Sequence, residues 1–309
     1  MRGSTKMKKI VAGITAAALV GAGVISSPTS AAADAAPGDI IITLGEDLSD
    51  EERETVLSEM DDGGEQDPIV EVTNEEEHEY LGEFIPAGQI GNNAISSSQI
   101  TIAEAGSGID VETNRINYVT EGMYANALVT AGVEDAEIYV TAPFEVSGTG
   151  ALTGIIKAYE IETDIEIPED QKRIANEELV QTGELSENHG TEEATELMAR
   201  IKEAIAEEDV ETEEDLRDLI ERIADELGIT LTDEEMDGLV SLFERMQNMD
   251  IDWDQVQNQI GQIRDNIDDW MSSDEAQGFV QSVLDFFSEL IDTVRGWFEG
   301  SGDSDQALK

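Results

Sequence analysis

The residues that most often perform catalysis are scarce in this chain. Its 309 residues contain no Cys and only two histidines, His78 and His189, both set among Glu and Asn in polar helix-start or loop contexts. A nucleophile needs a base within hydrogen-bond reach, and neither histidine accompanies a motif of that kind. The G-x-S-x-G, H-E-x-x-H and Walker patterns are also absent from the sequence. The sequence therefore predicts no catalytic residues.

Pairs of carboxylates are the remaining candidates for acid/base chemistry. The chain holds 71 Asp and Glu residues, so that a pair at any chosen spacing is expected by chance. A working pair would need converging carboxyl groups, one of them desolvated. A secreted hydrolase that uses carboxylates therefore stays open as an alternative function, without assigned residues.

A short glycine-rich segment is the best candidate for a ligand loop. Ser147, Gly148, Thr149 and Gly150 lead into a predicted helix, where backbone N–H groups can converge on an anion. A simple strand-to-helix turn explains the same residues, because glycine adopts unusual dihedral angles without strain. The negative charge of the whole chain also opposes anion binding, and no Lys follows until Lys157.

The acidic run from Asp250 to Asp254 is a candidate calcium-binding loop. Its Asp-x-Asp-x-Asp spacing begins like an EF-hand loop, but Gln255 stands where that loop requires Gly and Gly261 where it requires Glu. The EF-hand signature therefore fails, and no metal ligand is predicted. Clusters of acids elsewhere leave a weak divalent-cation binder as a second alternative, although such runs usually form a solvated surface.

The N-terminus has the three parts of a secretory signal peptide. Four basic residues precede an apolar run from Ile10 to Ile25, and small residues lead to Ala31, Ala32 and Ala33. We expect residues 1–33 to be removed by cleavage after Ala33, with an uncleaved anchor as the alternative. We expect Met1 or Met7 to be the initiator, since the residues after Met7 supply enough positive charge.

The chain beyond residue 33 is strongly acidic. The 17 basic residues of the whole chain less the four in the leader leave 13 against 71 acids, a net charge of about −58 for residues 34–309. Such a charge repels itself in dilute buffer and is screened in concentrated salt. We therefore predict a secreted or cell-surface protein adapted to salt.

Nucleic acid is excluded as a partner because no basic surface is present, and no cofactor is indicated. No apolar run after the leader approaches the roughly 18 to 20 residues that cross a bilayer.

Strand and helix patterns alternate in a predicted domain of residues 34–166. Ser49 and Glu52 form the pattern of a capping box, and Asn74 is predicted to cap a second helix. The predicted fold class is an α/β (mixed α+β) N-terminal domain followed by an α-helical C-terminal region. Strands are predicted at Ile40–Leu44, Ile69–Thr73 and Glu137–Thr141, helices at Asp50–Met60, Met123–Ala131 and Ala151–Glu160, and a hairpin from Ser98–Ala103 and Ile109–Thr113.

Residues 167–299 are predicted to be α-helical, with a polar tail at 300–309. Thr191, Thr212 and Thr232 each precede an acidic turn, as residues that begin helices do. An unbroken 3-4-3-4 spacing of apolar residues predicts a seam like that of a coiled coil or a long bundle helix. A new helix capped by Asp250, Asp252 or Asp254 would instead make the pattern a hairpin. The seam consists of Leu239, Leu242, Met246, Met249, Trp253, Val256, Ile260, Ile263, Ile267 and Trp270. We predict that the helical region self-associates or packs on the α/β domain through this seam.

A second apolar face between Phe279 and Phe298 is rich in Phe and Trp. It can dock on the rest of the protein, pair with another copy, or lie on a membrane or wall surface, and core packing is favoured because Arg295 is its only basic residue. The partners predicted for the chain are therefore a second copy or components of the cell envelope.

Several segments, in order, resemble the YpuA-like family of exported proteins from Gram-positive bacteria, a domain of unknown function. The resemblance covers nearly the whole chain after the leader. It implies an extracellular or envelope location and no established activity, and it assigns no catalytic residue. The segments that carry it are Thr73–His78, Ile90–Gly91 with Ala94–Ser97, Met123–Leu128, Ala142–Phe144, Val146–Thr149, Ala151–Gly154, Ala175–Leu179, Ile251–Trp253 and Phe279–Phe287.

Together these features predict an exported, salt-adapted protein that acts by binding or assembly at the cell surface. The two alternatives are the carboxylate hydrolase and the weak cation binder. A cavity with converging carboxyl groups and a desolvated acid would favour the hydrolase, whereas a long exposed seam would favour assembly.

Overall fold

The computed structural model describes residues 35–60, 67–208 and 210–271. The predicted signal peptide, the apolar face from Phe279 to Phe298 and the polar tail lie outside this range. Within it, an N-terminal α/β region is followed by an α-helical region, which confirms the predicted fold class. The strands are β1 (Ile40–Gly45), β2 (Ile69–Val72), β3 (Ser97–Ile102), β4 (Ile109–Ile116) and β5 (Ala136–Val146). The helices are α1 (Asp50–Glu59), α2 (Asn74–Leu81), α3 (Ala87–Ile90), α4 (Glu121–Ala131), α5 (Ala151–Thr163), α6 (Glu169–His189), α7 (Thr191–Glu207), α8 (Glu213–Leu227), α9 (Asp233–Gln247) and α10 (Trp253–Met271).

The five strands form one mixed sheet in the order β2-β1-β3-β5-β4. The outer pairs β1–β2 and β4–β5 are parallel, and the inner pairs β1–β3 and β3–β5 are antiparallel. The predicted hairpin of β3 and β4 is therefore wrong, because β5 lies between them. Period-two alternation identified both strands correctly, but it contains no information about which strand fills the central position.

Strand β5 continues through Pro143, beyond the predicted end of this strand. Its pairing with β3 ends at Thr141, and beyond that residue only the irregular pairing with β4 continues. A proline cannot donate a ladder hydrogen bond, so it is tolerated where one side of the strand has no partner.

Most of the predicted helix starts are confirmed. Ser49, Thr212 and Thr232 each accept a hydrogen bond from the third residue of the following helix, whose carboxylate bonds back to the cap. Thr73 rather than Asn74 caps α2. Thr191 is the first residue of α7 and not its cap, because Gly190 already turns the chain with a φ of 99°.

One hydrophobic core joins the sheet to the helices. It runs from Ile41 and Ile100 of the sheet, through the fully buried helix α4, to Ile260 and Ile263 of α10. Helix α4 packs on α6, α7 and α10, and helix α5 lies against β1, β2 and β3. The boundary predicted between residues 166 and 167 falls in the connection between α5 and α6. In the described residues, no helix is both long enough and apolar enough to span a bilayer.

Candidate functional site

The predicted ligand loop is closed by the protein itself. Gly148 has a φ of 84°, and its carbonyl accepts a hydrogen bond of 2.6 Å from the hydroxyl of Tyr124. A Cβ atom on Gly150 would lie 1.9 Å from Oε1 of Glu77, so this carboxyl group occupies the space beside the N-terminus of α5. Burial, assisted by the charge of Asp47, raises the pKa of Glu77 to about 7. Ser147 to Gly150 thus form a turn that receives an internal carboxyl group.

The apolar seam divides between two helices. It passes along α9, breaks between Asn248 and Asp252, and resumes in α10, where Oδ1 of Asp252 accepts a hydrogen bond of 3.0 Å from the N–H of Gln255. The predicted capping alternative therefore holds. Helix α10 packs on α4 and α7, however, while α9 packs on α6 and α8, so the two are not paired as a hairpin.

The seam's side chains face the core. Leu239, Leu242, Met246, Val256, Ile260 and Ile263 are buried, and Met249 and Trp253 are partly buried against the same cluster. The side chains of Ile267 and Trp270 lie outside the described set. The proposed interaction through the seam stays a prediction, because these contacts lie within one chain.

The strongest candidate for a ligand site is a cavity between α2, α5 and α6, which we call the α5–α6 cavity. Its volume is about 170 Å³. Its wall contains two of the few lysines of the chain, Lys157 and Lys172, and two carboxylates, Glu76 and Glu160. The remaining lining residues are Tyr80, Thr153, Ile156 and Asn176.

Both ammonium groups are held in fixed positions. Nζ of Lys157 donates to Oε1 of Glu76 at 2.5 Å and to the carbonyl of Glu71 at 2.8 Å. Nζ of Lys172 lies 2.9 Å from carboxylate oxygens of both Glu160 and Glu169. Because an ammonium group has three donors, each lysine keeps one N–H beyond these contacts.

The protonation states in the cavity follow from these contacts. Burial alone would lower the pKa of Lys172, but hydrogen bonds to Glu160 and Glu169 raise it to about 12. Burial would raise the pKa of Glu76, but the hydrogen bond from Lys157 brings it below its usual value. Burial and the bond to Glu169 raise the pKa of Tyr80 to about 12. The lining thus has two positive and two negative charges and a net charge of zero.

Two residues of the cavity lining each have a buried polar atom without a hydrogen-bond partner. Oγ1 of Thr153 and Oδ1 of Asn176 make no hydrogen bond, and these residues are 4% and 0% exposed. The amide nitrogen of Asn176 donates to the carbonyl of Lys172 at 2.9 Å, which fixes the amide with its oxygen free. A buried polar group without a partner is costly, so a molecule that supplies one gains affinity. The cavity can therefore hold a small ligand by donors and acceptors together.

A second group of polar residues lies between α6 and α9. Glu184, Glu187, Glu234 and Glu235 line this cavity, and Nε2 of His189 lies 3.0 Å from Oε1 of Glu235. Burial, assisted by the charge of Glu184, raises the pKa of Glu187 to about 7. Burial would raise the pKa of Glu235, but hydrogen bonds from Thr232 and Asn188 lower it. A proton donor and an ionised carboxylate therefore share this wall.

The other histidine has a structural role. Nε2 of His78 lies 2.9 Å from the carbonyl of Gly91 and ties α2 to the end of α3. In the part of the chain that is described, no three Asp, Glu or His side chains are arranged to hold a metal ion.

Sequence reasoning missed the α5–α6 cavity. Thr153 and Asn176 are ordinary helix residues 23 positions apart, and only the packing of α5 on α6 brings them together. One signal was present, since a basic residue is rare in residues 34–309 and Lys157 and Lys172 lie on neighbouring helices.

Comparison with known proteins identifies one family. The family model described as protein of unknown function DUF1002 matches residues 44–263. A Bacillus subtilis (strain 168) protein named "Uncharacterized protein YpuA" is 49% identical over 294 residues, which cover 95% of this chain and 100% of the relative. No solved structure matches the chain.

Proposed function

The chain belongs to the DUF1002 family of proteins of unknown function, and we propose that this member is an exported, salt-adapted protein that binds a small polar solute in its α5–α6 cavity. The observation that carries the proposal is that two residues lining the cavity, Thr153 and Asn176, each have a buried oxygen without a partner, Oγ1 and Oδ1 respectively. The family has no established activity from which a function could be transferred.

The lining supports a neutral or zwitterionic ligand. The charges of Lys157 and Lys172 are balanced by those of Glu76 and Glu160, so an ion would bring an unbalanced charge into a partly desolvated space. A cavity of about 150 Å³ in another protein holds benzene, so ~six to eight non-hydrogen atoms fit here. Small amino acids meet both requirements, since their carboxylate accepts from the lysines and their ammonium group donates to Asn176.

The charge of the chain supports a salty environment. Each of the 11 Lys and Arg residues in the described ranges forms an ion pair with a Glu or Asp within the chain. Carboxylates far outnumber basic residues in the chain, so most of the negative charge must be compensated by solvent cations. The basic, apolar and small-residue segments at the N-terminus support export to the cell surface or beyond.

Calorimetric titration with glycine, alanine and acetamide tests the cavity. We expect glycine or alanine to bind, and Thr153→Val to weaken that binding by about tenfold because one hydrogen-bond partner is lost. Thr195→Val is a matched control, since Oγ1 of Thr195 is also buried and unpartnered but does not line the cavity. Equal affinity in both variants, or no heat with any probe, would refute a site at Thr153.

Export and salt adaptation have a separate test. We expect the wild-type protein to lose helical circular dichroism when molar NaCl is replaced by dilute buffer, and to appear in the medium or envelope fraction of the cells. Retention of the full signal in dilute buffer would contradict salt adaptation, and recovery from the cytosol would contradict export.

A carboxylate hydrolase is a second candidate, favoured by the raised pKa of Glu187 in a cavity wall that also contains the ionised Glu235. General acid/base hydrolysis uses one protonated and one ionised carboxyl group. Aryl glycosides and aryl esters are suitable probes. Turnover by the wild type that falls at least about a hundredfold in Glu187→Gln would support this function, and unchanged turnover would exclude Glu187.

A further inference from the structure

A second cavity, separate from the α5–α6 cavity, is lined by acidic and amide side chains. It lies where the segment before β5 meets the start of α10, and its volume is about 380 Å³. The carboxylates of Glu134, Asp135, Asp252 and Asp254 line it, and no Lys, Arg or His is among its lining residues. We call it the acidic cavity. Asp252 and Asp254 belong to the run whose calcium-binding signature fails.

Two glutamines that line this cavity have side-chain oxygens without a hydrogen-bond partner. Gln259 is 6% exposed, its Nε2 donates to the carbonyl of Val133 at 3.2 Å, and its Oε1 has no partner. Gln262 repeats the arrangement, since its Nε2 donates to the carbonyl of Gly106 at 3.1 Å and its Oε1 is unpartnered. Gln255 adds one unpartnered donor, Nε2. A bound molecule with hydrogen-bond donors would satisfy these buried acceptors.

The carboxylates add an unbalanced negative charge. Burial, together with the charges of Asp135 and Asp252, raises the pKa of Glu134. This shift reports that a positive charge beside Glu134 would be stabilised. The cavity therefore calls for a cation that donates hydrogen bonds.

The geometry distinguishes between two kinds of cation. Mg²⁺ and Ca²⁺ need oxygen ligands that converge to about 2.0–2.6 Å, and no three acidic side chains in the described ranges meet that requirement. An ammonium group donates hydrogen bonds at N···O distances of about 2.7–2.9 Å. A molecule with several ammonium groups can therefore bond to oxygens that lie far apart in the cavity. The volume also exceeds that needed for a single ion.

From these observations we propose that the acidic cavity binds an organic cation with several N–H donors, of the diamine or polyamine class. Its ammonium groups donate to the carboxylates of Asp252 and Asp254 and to Oε1 of Gln259. The site does not depend on the solute proposed for the α5–α6 cavity.

Titration calorimetry with putrescine tests the proposal at the lowest salt that keeps the wild type folded. Tetramethylammonium is the matched probe, because it is a cation without N–H donors and measures the general attraction of an acidic protein. We expect putrescine to bind at one site at least roughly tenfold more tightly than tetramethylammonium. Equal affinity for the two cations would overturn the proposal.

Three variants locate the site. Gln259→Met leaves the net charge unchanged, and Asp254→Asn removes one charge from the cavity. We expect each to weaken putrescine binding by roughly tenfold. Glu221→Gln removes one charge from an exposed position on α8 and should leave the affinity unchanged. If Gln259→Met does not fold, the comparison of Asp254→Asn with Glu221→Gln decides alone, and an equal effect of these two refutes a built site.

Discussion

Removing Lys202 should reveal a large electrostatic contribution to the stability of this fold. Nζ of Lys202 lies 2.6 Å from Oε1 of Glu178, and their side chains are 1% and 0% exposed. Lys202 also donates to the carbonyl of Asn126 at 2.8 Å and the hydroxyl of Thr130 at 3.3 Å, and Thr130 donates to Glu178. This network joins α4, α6 and α7 in the core.

The magnitude follows from what remains after the substitution. Lys202→Met leaves a buried carboxylate with one neutral donor, and breaking a buried pair in this way costs about 3–5 kcal/mol. For a chain of this size the melting temperature should fall by on the order of 10 °C. In Glu178→Leu/Lys202→Met both charges are gone, so the double variant should lose less than either single variant.

Urea denaturation in molar NaCl measures these changes. Arg222→Met is the control, because the Arg222–Glu208 pair is about half exposed and its loss should change stability little. Burial raises the pKa of Glu178 even beside Lys202. Without Lys202, folding must either bury the charge of Glu178 or protonate its carboxyl group. The loss of stability relative to the wild type should therefore shrink as the pH falls. A loss below about 1 kcal/mol, or a double variant that loses the sum of the single losses, would refute the reasoning.

Three further predictions concern buried positions near the sites. The pKa of Glu77 in the folded protein, about 7, lies above its value in the unfolded chain, so the protonated carboxyl group contributes stability at low pH. The free energy of unfolding should therefore fall by about 3 kcal/mol as the pH rises from 4.5 to 7. In Glu77→Gln, urea denaturation should show a smaller pH dependence of stability over this range. Gly150→Ala should destabilise the protein by about 1–3 kcal/mol, because the new Cβ would meet Glu77. Gly261→Ala, on an open helix surface, should stabilise it by up to about 1 kcal/mol. A higher melting temperature for Gly150→Ala than for Gly261→Ala would contradict the contact with Glu77. Ile260→Asp buries a charge at a position that is 0% exposed and should lower the free energy of unfolding by at least about 4 kcal/mol. Light scattering should give the same mass for the folded variant as for the wild type. A stable variant of lower mass would instead indicate that the seam joins two copies.

Helix caps could be predicted from the sequence because their hydrogen bonds join residues that are close together in the chain. The capping boxes at Ser49, Thr212 and Thr232 involve residues three positions apart, and the structure has all three. The strand periodicity of β1, β2 and β5 and the helical spacing of α9 and α10 were likewise predicted. The division into an α/β part and a helical part followed from these patterns.

The charge, the family, most helix starts and the apolar faces of the helices and strands could be predicted from the amino-acid sequence. The sequence did not predict that β5 separates β3 from β4, or that Glu77 reaches the turn before α5. It also did not predict that Glu178 pairs with Lys202, or that Thr153 and Asn176 line one cavity. Helix and strand propensity and capping depend on residues within a few positions. A cavity or a buried pair depends instead on which helix faces meet, and many arrangements of the same faces bury similar apolar area.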